Sequence, residues 1–184
     1  AERVARAATL VRQGAVFSLN WDMEKPDPPI LGRTRMNHHI IDLTPGTDAS
    51  EWGTDDYYDN YWPQSSTQWD ALSHMPNPVY GYYNGVQRAD ITGQAGGKNG
   101  IENWGRRGLA GRFVLADVAR YLAERGNPID ASQRVEISIE TVQATLDAQG
   151  VQLQGGDILM IRMGWIDWVR SGAGHGGRRQ CTPF

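Results

Sequence analysis

A chain of 184 residues, 40% hydrophobic and 21% charged with a net charge of −3, has room for one domain with its own apolar core. It lacks the clustered basic field that gathers phosphate backbones, so nucleic acid is not an expected partner. A single cysteine, Cys181, excludes an internal disulfide and an all-cysteine metal site and fits a reducing, cytoplasmic setting, and no apolar run reaches the ~20 residues of a membrane helix.

Taken in chain order, "ERVARAATLVRQG" places Val4, Ala7, Ala8 and Val11 at helical spacing and closes on Gly14, which predicts an opening helix. "AVFSLN" reads as a strand. The prolines of "EKPDPPILGRTR" lack ladder donors and restrict the residues before them, so this stretch is a loop. "HHIIDL", His38 to Leu43, is a second strand candidate. From Pro45 to Asn103 no period is sustained, and Gly, Pro, Asp and Asn punctuate the chain. Four of the seven Trp and six of the seven Tyr fall between Trp52 and Trp104. Two readings fit that bias: an irregular region pinned by aromatic packing, or an aromatic-lined pocket.

Order returns with "GRFVLADV" and "RVEIS", both short apolar runs that suit strands. Ser138 is placed to cap a helix through "IETVQATLDAQ", where Ile139, Val142 and Leu146 form one face and Gly150 ends it. "GGDILMIRMGW" follows as a turn into a buried strand, Asp157 to Met163. The tail "RSGAGHGGRRQCTPF" has little to bury and is expected to be mobile. Strands followed by helices, with a long irregular insertion, predict a single α/β domain over residues 1–184, a mixed sheet with flanking helices.

The stretch "QSSTQWDALSH" concentrates chemistry. In an extended or tightly turned segment, side chains two or four apart can point the same way, so Gln64, Gln68, Asp70 and His74 are candidates to converge on one cavity. Carboxylate and imidazole are common ligands of hydrolytic metal ions, and the two amide oxygens are weaker, neutral ones. The plainer reading is a capped turn whose histidine bonds to backbone.

The same stretch resembles the signature HxGTHxDxPxH of the cyclase family of metal-dependent hydrolases, which includes kynurenine formamidase and isatin hydrolase. Gln64 and Gln68 stand where that pattern has its first two histidines, and Thr67, Asp70 and His74 match its threonine, aspartate and last histidine. Ser66 replaces the glycine and Leu72 the proline. A branch carrying "TQWD" is more similar still. The segments "FSLNWDMEKPDPPILGR", "DDYYDNYWPQSSTQWDALSH", "YNG", "NGIENWGRRGLAGRFVLADVARY" and "TLDAQGVQLQGGDILMIRMGW" carry the resemblance up to Trp165.

The resemblance implies a swivelling β/β/α-type domain and a homo-oligomer. It implies an enzyme that opens an amide or ester bond of a small molecule (a cyclic amide, lactone or formamide) with a divalent ion, Zn or Mn. Asp70 would hold the metal, Gln64 and Gln68 would occupy ligand positions, His74 would donate and accept the proton, and Trp21 and Trp69 would line the substrate pocket. Two amides in place of two imidazoles weaken metal binding, so the alternative is a metal-depleted member that binds a ligand or partner without chemistry. Family members supply a further His and Glu after the strand ending in "GW". No such pair precedes Phe184 and His175 is a poor substitute, so the domain is expected to lack its C-terminal segment.

Weaker signals have plainer readings. "GQAGGKNG", Gly93 to Gly100, lacks the Ser or Thr of a phosphate loop and reads as a flexible loop. His38 and His39 are adjacent and would face opposite sides of a strand. Arg106 and Arg107 before Gly108 suit a solvated turn, and Cys181 has no evident activating base.

Overall fold

In the computed structural model the described residues are 2–43 and 53–172, and they form two compact units. Among the described residues the first unit joins 2–16 to 107–172, and the second is built on 17–43 and 53–106. His175, Cys181 and the expected mobile tail from residue 173 onward lie outside the described residues, as does Trp52.

The first unit opens with helix α1 (Glu2–Ala8) and continues with strand β3 (Phe113–Ala116), helix α3 (Val118–Ala123), helix α4 (Ile139–Ala148), strand β4 (Ile158–Ile161) and helix α5 (Trp165–Arg170). β3 and β4 pair in parallel, Phe113 opposite Ile158 through Ala116 opposite Ile161. Parallel neighbours need a crossover, which the segment carrying α3 and α4 provides. Along β3 the side chains alternate, so Val114 and Ala116 are buried while Phe113 and Leu115 are exposed. Val114, Ala116, Val118 and Leu146 form the core, and Leu122, Ile129, Ile137, Val142 and Val151 pack around it.

Polar residues set where these elements begin and end. Asp117 stops β3 and starts α3, its carboxylate accepting the Arg120 backbone N–H while Arg162 Nη1 approaches the same oxygen to 2.9 Å. Ser138 caps α4 as expected, its hydroxyl oxygen accepting from the Thr141 N–H at 3.2 Å. At the other end of α4, Gln149 donates to the Leu115 carbonyl at 2.7 Å and accepts from the Asp117 N–H at 2.9 Å, fastening the helix to the end of β3.

In the second unit strand β1 (Asn37–Asp42) pairs antiparallel with strand β2 (Thr54–Asp59). Short 3₁₀ turns follow at Pro63–Ser65, Tyr83–Gly85 and Arg88–Asp90, then helix α2 (Glu102–Arg107). His38 and His39 do fall on opposite faces of the β1–β2 ribbon. His38 stacks on Tyr58 and His39 on Tyr57, each with ring centroids 4.5 Å apart. Their Nε2 atoms lie 2.8 Å from Asp56 and 3.1 Å from Asp59, respectively. Cross-strand pairs of this kind hold a ribbon whose side chains are largely exposed.

The fold is therefore mixed α/β, with the parallel and antiparallel pairings in separate two-stranded sheets among the described residues. Several local expectations need correction. α1 stops at Ala8 rather than running to Gly14, and i→i+3 bonds from Thr9, Leu10 and Val11 finish it. "AVFSLN" forms no strand: Val16, Phe17 and Leu19 are 94%, 79% and 69% exposed, with no ladder partner among the described residues. "RVEIS" is likewise irregular, and Arg134 pairs instead with Glu136 two residues on. β2 lies in the stretch read as structureless.

Candidate functional site

The segment from Pro63 to Gly85 is built almost entirely from turns. Pro63 suits the first position of a 3₁₀ turn, where its missing N–H costs no bond, and the Ser65 N–H closes that turn on the Trp62 carbonyl at 2.9 Å. Leaving the turn, the chain is clamped to residues 21 and 22. The Ser66 hydroxyl donates to the Asp22 carbonyl at 2.7 Å, and the Trp21 N–H donates to Thr67 Oγ1 at 2.8 Å. A further turn closes where the His74 N–H meets the Ala71 carbonyl at 3.0 Å.

Next comes a tight loop, Asn77 bridged to Gly81 through both backbone bonds at 2.9 Å. The Asn77 side-chain oxygen accepts from the Val79 and Tyr80 N–H groups at 2.8 and 2.9 Å, a local bond that Asn forms readily. Asn84 adopts the left-handed conformation (φ 58°, ψ 31°) that lets Tyr83–Gly85 turn so sharply, and Asn99 donates from its amide to the Tyr83 carbonyl at 3.2 Å.

These turns border an open hollow of about 560 Å³ lined by Asp70, His74, Met75, Tyr80, Tyr82 and Tyr83, among others; of these six all but Tyr82 are exposed. It is an aromatic-walled hollow with one carboxylate and one imidazole on its surface. Of the four residues expected to converge, Asp70 and His74 line it. Gln64 sits half-buried in the 3₁₀ turn and Gln68 is exposed, neither on the lining. Trp69 is 54% exposed and Trp21 half-buried beside the clamp, and they too lie off the lining. Among the described residues no three of His, Cys, Asp and Glu gather in one place.

Sequence reasoning did not single out Ser66 and Thr67 as anchors, nor Asn77, Tyr80 and Tyr82 as parts of the cavity. The legible signal was the aromatic bias itself, with Asn84-Gly85 marking the turn. "GQAGGKNG" is a run of turns: a Cβ on Gly97 would lie 2.5 Å from the Thr92 carbonyl, and the Lys98 N–H donates to the Asp90 carbonyl at 2.9 Å. Close backbone approach explains that glycine without a bound phosphate. Arg106 and Arg107 end α2, and Gly108 follows at φ +69°. Among the described residues no helix is long and apolar enough to cross a membrane.

Comparison with known proteins adds family context. Residues 13–180 match the Cyclase family. A crystal structure described as that of a novel cyclase superposes with a TM-score of 0.75 at 32% sequence identity, covering 92% of this chain and 57% of that one. This chain thus spans little more than half the length of that relative. No curated protein matches.

Proposed function

Because the chain belongs to the Cyclase family, we propose that it carries part of the site of a metal-dependent hydrolase that opens an amide or ester bond in a small molecule: a cyclic amide, lactone or formamide. The observation that supports this reading is the placement of Asp70 and His74 on one aromatic-walled cavity. The donor chemistry at the cavity suits a divalent ion such as Zn or Mn only in part: Asp70 offers anionic oxygen and His74 nitrogen, whereas Gln64 and Gln68, which the family likeness puts at ligand positions, lie off the lining. Such an ion, when bound, supplies a Lewis acid that polarises a carbonyl and acidifies water.

The protein's own residues do the rest. Asp70 holds the cation. His74 moves the proton, taking it from water and passing it to the leaving nitrogen or oxygen, a task for which imidazole is suited near neutral pH. Tyr80, Tyr82 and Tyr83 offer flat apolar surface for the ring of a substrate. Ser66 and Thr67 clamp residues 21 and 22 beside the same segment, while Trp21 and Trp69, which the family likeness puts at the substrate, lie off the cavity lining. The frame is the swivelling β/β/α architecture that the family resemblance implies, assembled as a homo-oligomer.

A second reading is favoured by one observation, that no three strong ligands gather among the described residues: a family member that binds a small ligand without chemistry. Elemental analysis of the purified protein, paired with hydrolysis assays on a panel of formanilides, lactones and cyclic imides, separates the two. Stoichiometric metal with turnover of any panel member supports the hydrolase; turnover that persists in metal-stripped protein overturns it, and absence of both metal and turnover supports the second reading.

A further inference from the structure

A second candidate site lies in the first unit, and none of its residues lines the Asp70–His74 cavity. We propose that Arg3 and Arg6, seated against the Gly155–Gly156 turn, bind the phosphate group of a small molecule. Arg3 and Arg6 are three apart on α1 and so share one face of the helix. Both line a surface hollow of about 170 Å³ that is bordered by Arg112 and the turn ending in Asp157.

Charge within this cavity is unbalanced. Arg112 is committed to Asp157, with Nε 3.0 Å from Oδ1 and Nη2 2.6 Å from Oδ2, and it also donates to the Gln152 carbonyl. Asp157 is further occupied by the Gln154 N–H at 2.7 Å. The one carboxylate on the cavity wall is therefore engaged. Glu2 borders an adjoining hollow of about 330 Å³ but forms no ion pair with Arg3 or Arg6. Neither Arg3 nor Arg6 forms a close ion pair among the described residues, although the charge of Arg6 reaches Asp157 and helps Arg112 to hold its carboxyl ionised, so three guanidinium groups share one carboxylate on the cavity wall.

The turn is shaped around one of them. A Cβ on Gly156 would sit 2.6 Å from Arg3 Cδ and 3.0 Å from Nη1, and a Cβ on Gly155 would touch Nη2 at 3.7 Å. Two adjacent glycines leave the room in which the Arg3 side chain, otherwise exposed, lies along the backbone of the turn. Guanidinium presents paired N–H donors that match phosphate oxygens, and a phosphate monoester with about −1.5 to −2 charge at neutral pH balances two cations where a carboxylate balances one. The smaller cavity takes the phosphate; the adjoining hollow has room for the group that carries it.

The test titrates the full chain by calorimetry at low salt, with inorganic phosphate in one arm and glycerol 3-phosphate in the other. Saturable binding is expected, weakened about tenfold or more by Arg3→Gln and by Arg6→Gln, as loss of a charged hydrogen bond implies, and unchanged by Arg134→Gln. Gly156→Ala keeps both charges but displaces Arg3, so it should weaken binding as well; a melting curve on each variant checks that it is folded. Tighter binding of the ester assigns the site to phosphorylated small molecules, and equal or tighter binding of inorganic phosphate assigns it to the free ion. Absence of saturable binding in both arms overturns the proposal, as does equal binding by wild type and the two arginine variants.

Discussion

Replacing Leu146 by Ala should cost far more than replacing Ile139 by Ala, although both residues lie on α4 and both are large aliphatics. Leu146 is 1% exposed and belongs to a core in which, among the described residues, only Val114, Ala116 and Val118 are the other buried apolar residues. Removing it deletes the atoms that join α4 to β3 and leaves a void that its neighbours fill only in part, a loss of about 3 kcal/mol. For a chain of this size that corresponds to a melting temperature lower by roughly 6–12 °C. Ile139 is 83% exposed at the first turn of the helix, and its truncation should stay within about 0.5 kcal/mol. Urea titrations of both variants, with the slope checked for constancy, measure the difference. A Leu146→Ala cost below about 1 kcal/mol, or an equal cost for Ile139→Ala, would refute the assignment of the core.

The remaining predictions concern the ion pair and the clamp. The Arg112 guanidinium, helped by the Gln154 N–H, holds the Asp157 carboxyl at a pKa of about 2 against an ordinary 3.8. A folded-state pKa below the unfolded one means the unfolded chain takes up the proton first, so the pair's stabilisation is complete above pH 3.8 and is lost as pH falls through 2. Unfolding curves between pH 5 and 2 should show that acid-dependent loss in wild type and a flatter profile in Asp157→Asn. Ser66→Ala and Thr67→Val each remove one bond of the clamp on residues 21 and 22, costing about 1 kcal/mol, and hydrogen exchange at the Trp21 amide should quicken in Thr67→Val; unchanged exchange there would deny that Thr67 holds the strap.

Much of the first unit was legible because its signals are local and agree with one another. Ser138 before a 3.6-residue apolar period marks α4, though Ile139 stays exposed, and the run "DILMI" after two glycines marks β4, which is shorter than the expected Asp157 to Met163 and exposes Leu159, Met160 and Ile161 where burial was expected. α3 was hidden because "GRFVLADV" reads as one apolar run, whereas Asp117 breaks it into strand and helix by capping Arg120. α5 was hidden by brevity, with only one turn and a half from Trp165 to Arg170. β2, "TDDYYD", shows no apolar alternation; it exists as a strand through its pairing with β1 and its His–Tyr stacks, which couple residues some twenty positions apart. "AVFSLN" and "RVEIS" carry strand composition without a partner, and composition alone cannot close a ladder. At the site, the chemistry of Asp70 and His74 was readable from residue type, while the sorting of Gln64 and Gln68 away from them depends on the successive turns at Pro63–Ser65 and at Ala71–His74, which no period encodes.

On the proposed reading Asp70 and His74 share one hollow but do different work there. This division of work is tested most directly by measuring zinc and manganese affinity and hydrolytic turnover side by side in Asp70→Ala and His74→Ala. Asp70→Ala should lose both metal and turnover, while His74→Ala should retain metal and lose turnover. Metal affinity unchanged in Asp70→Ala, or turnover unchanged in His74→Ala, would contradict it.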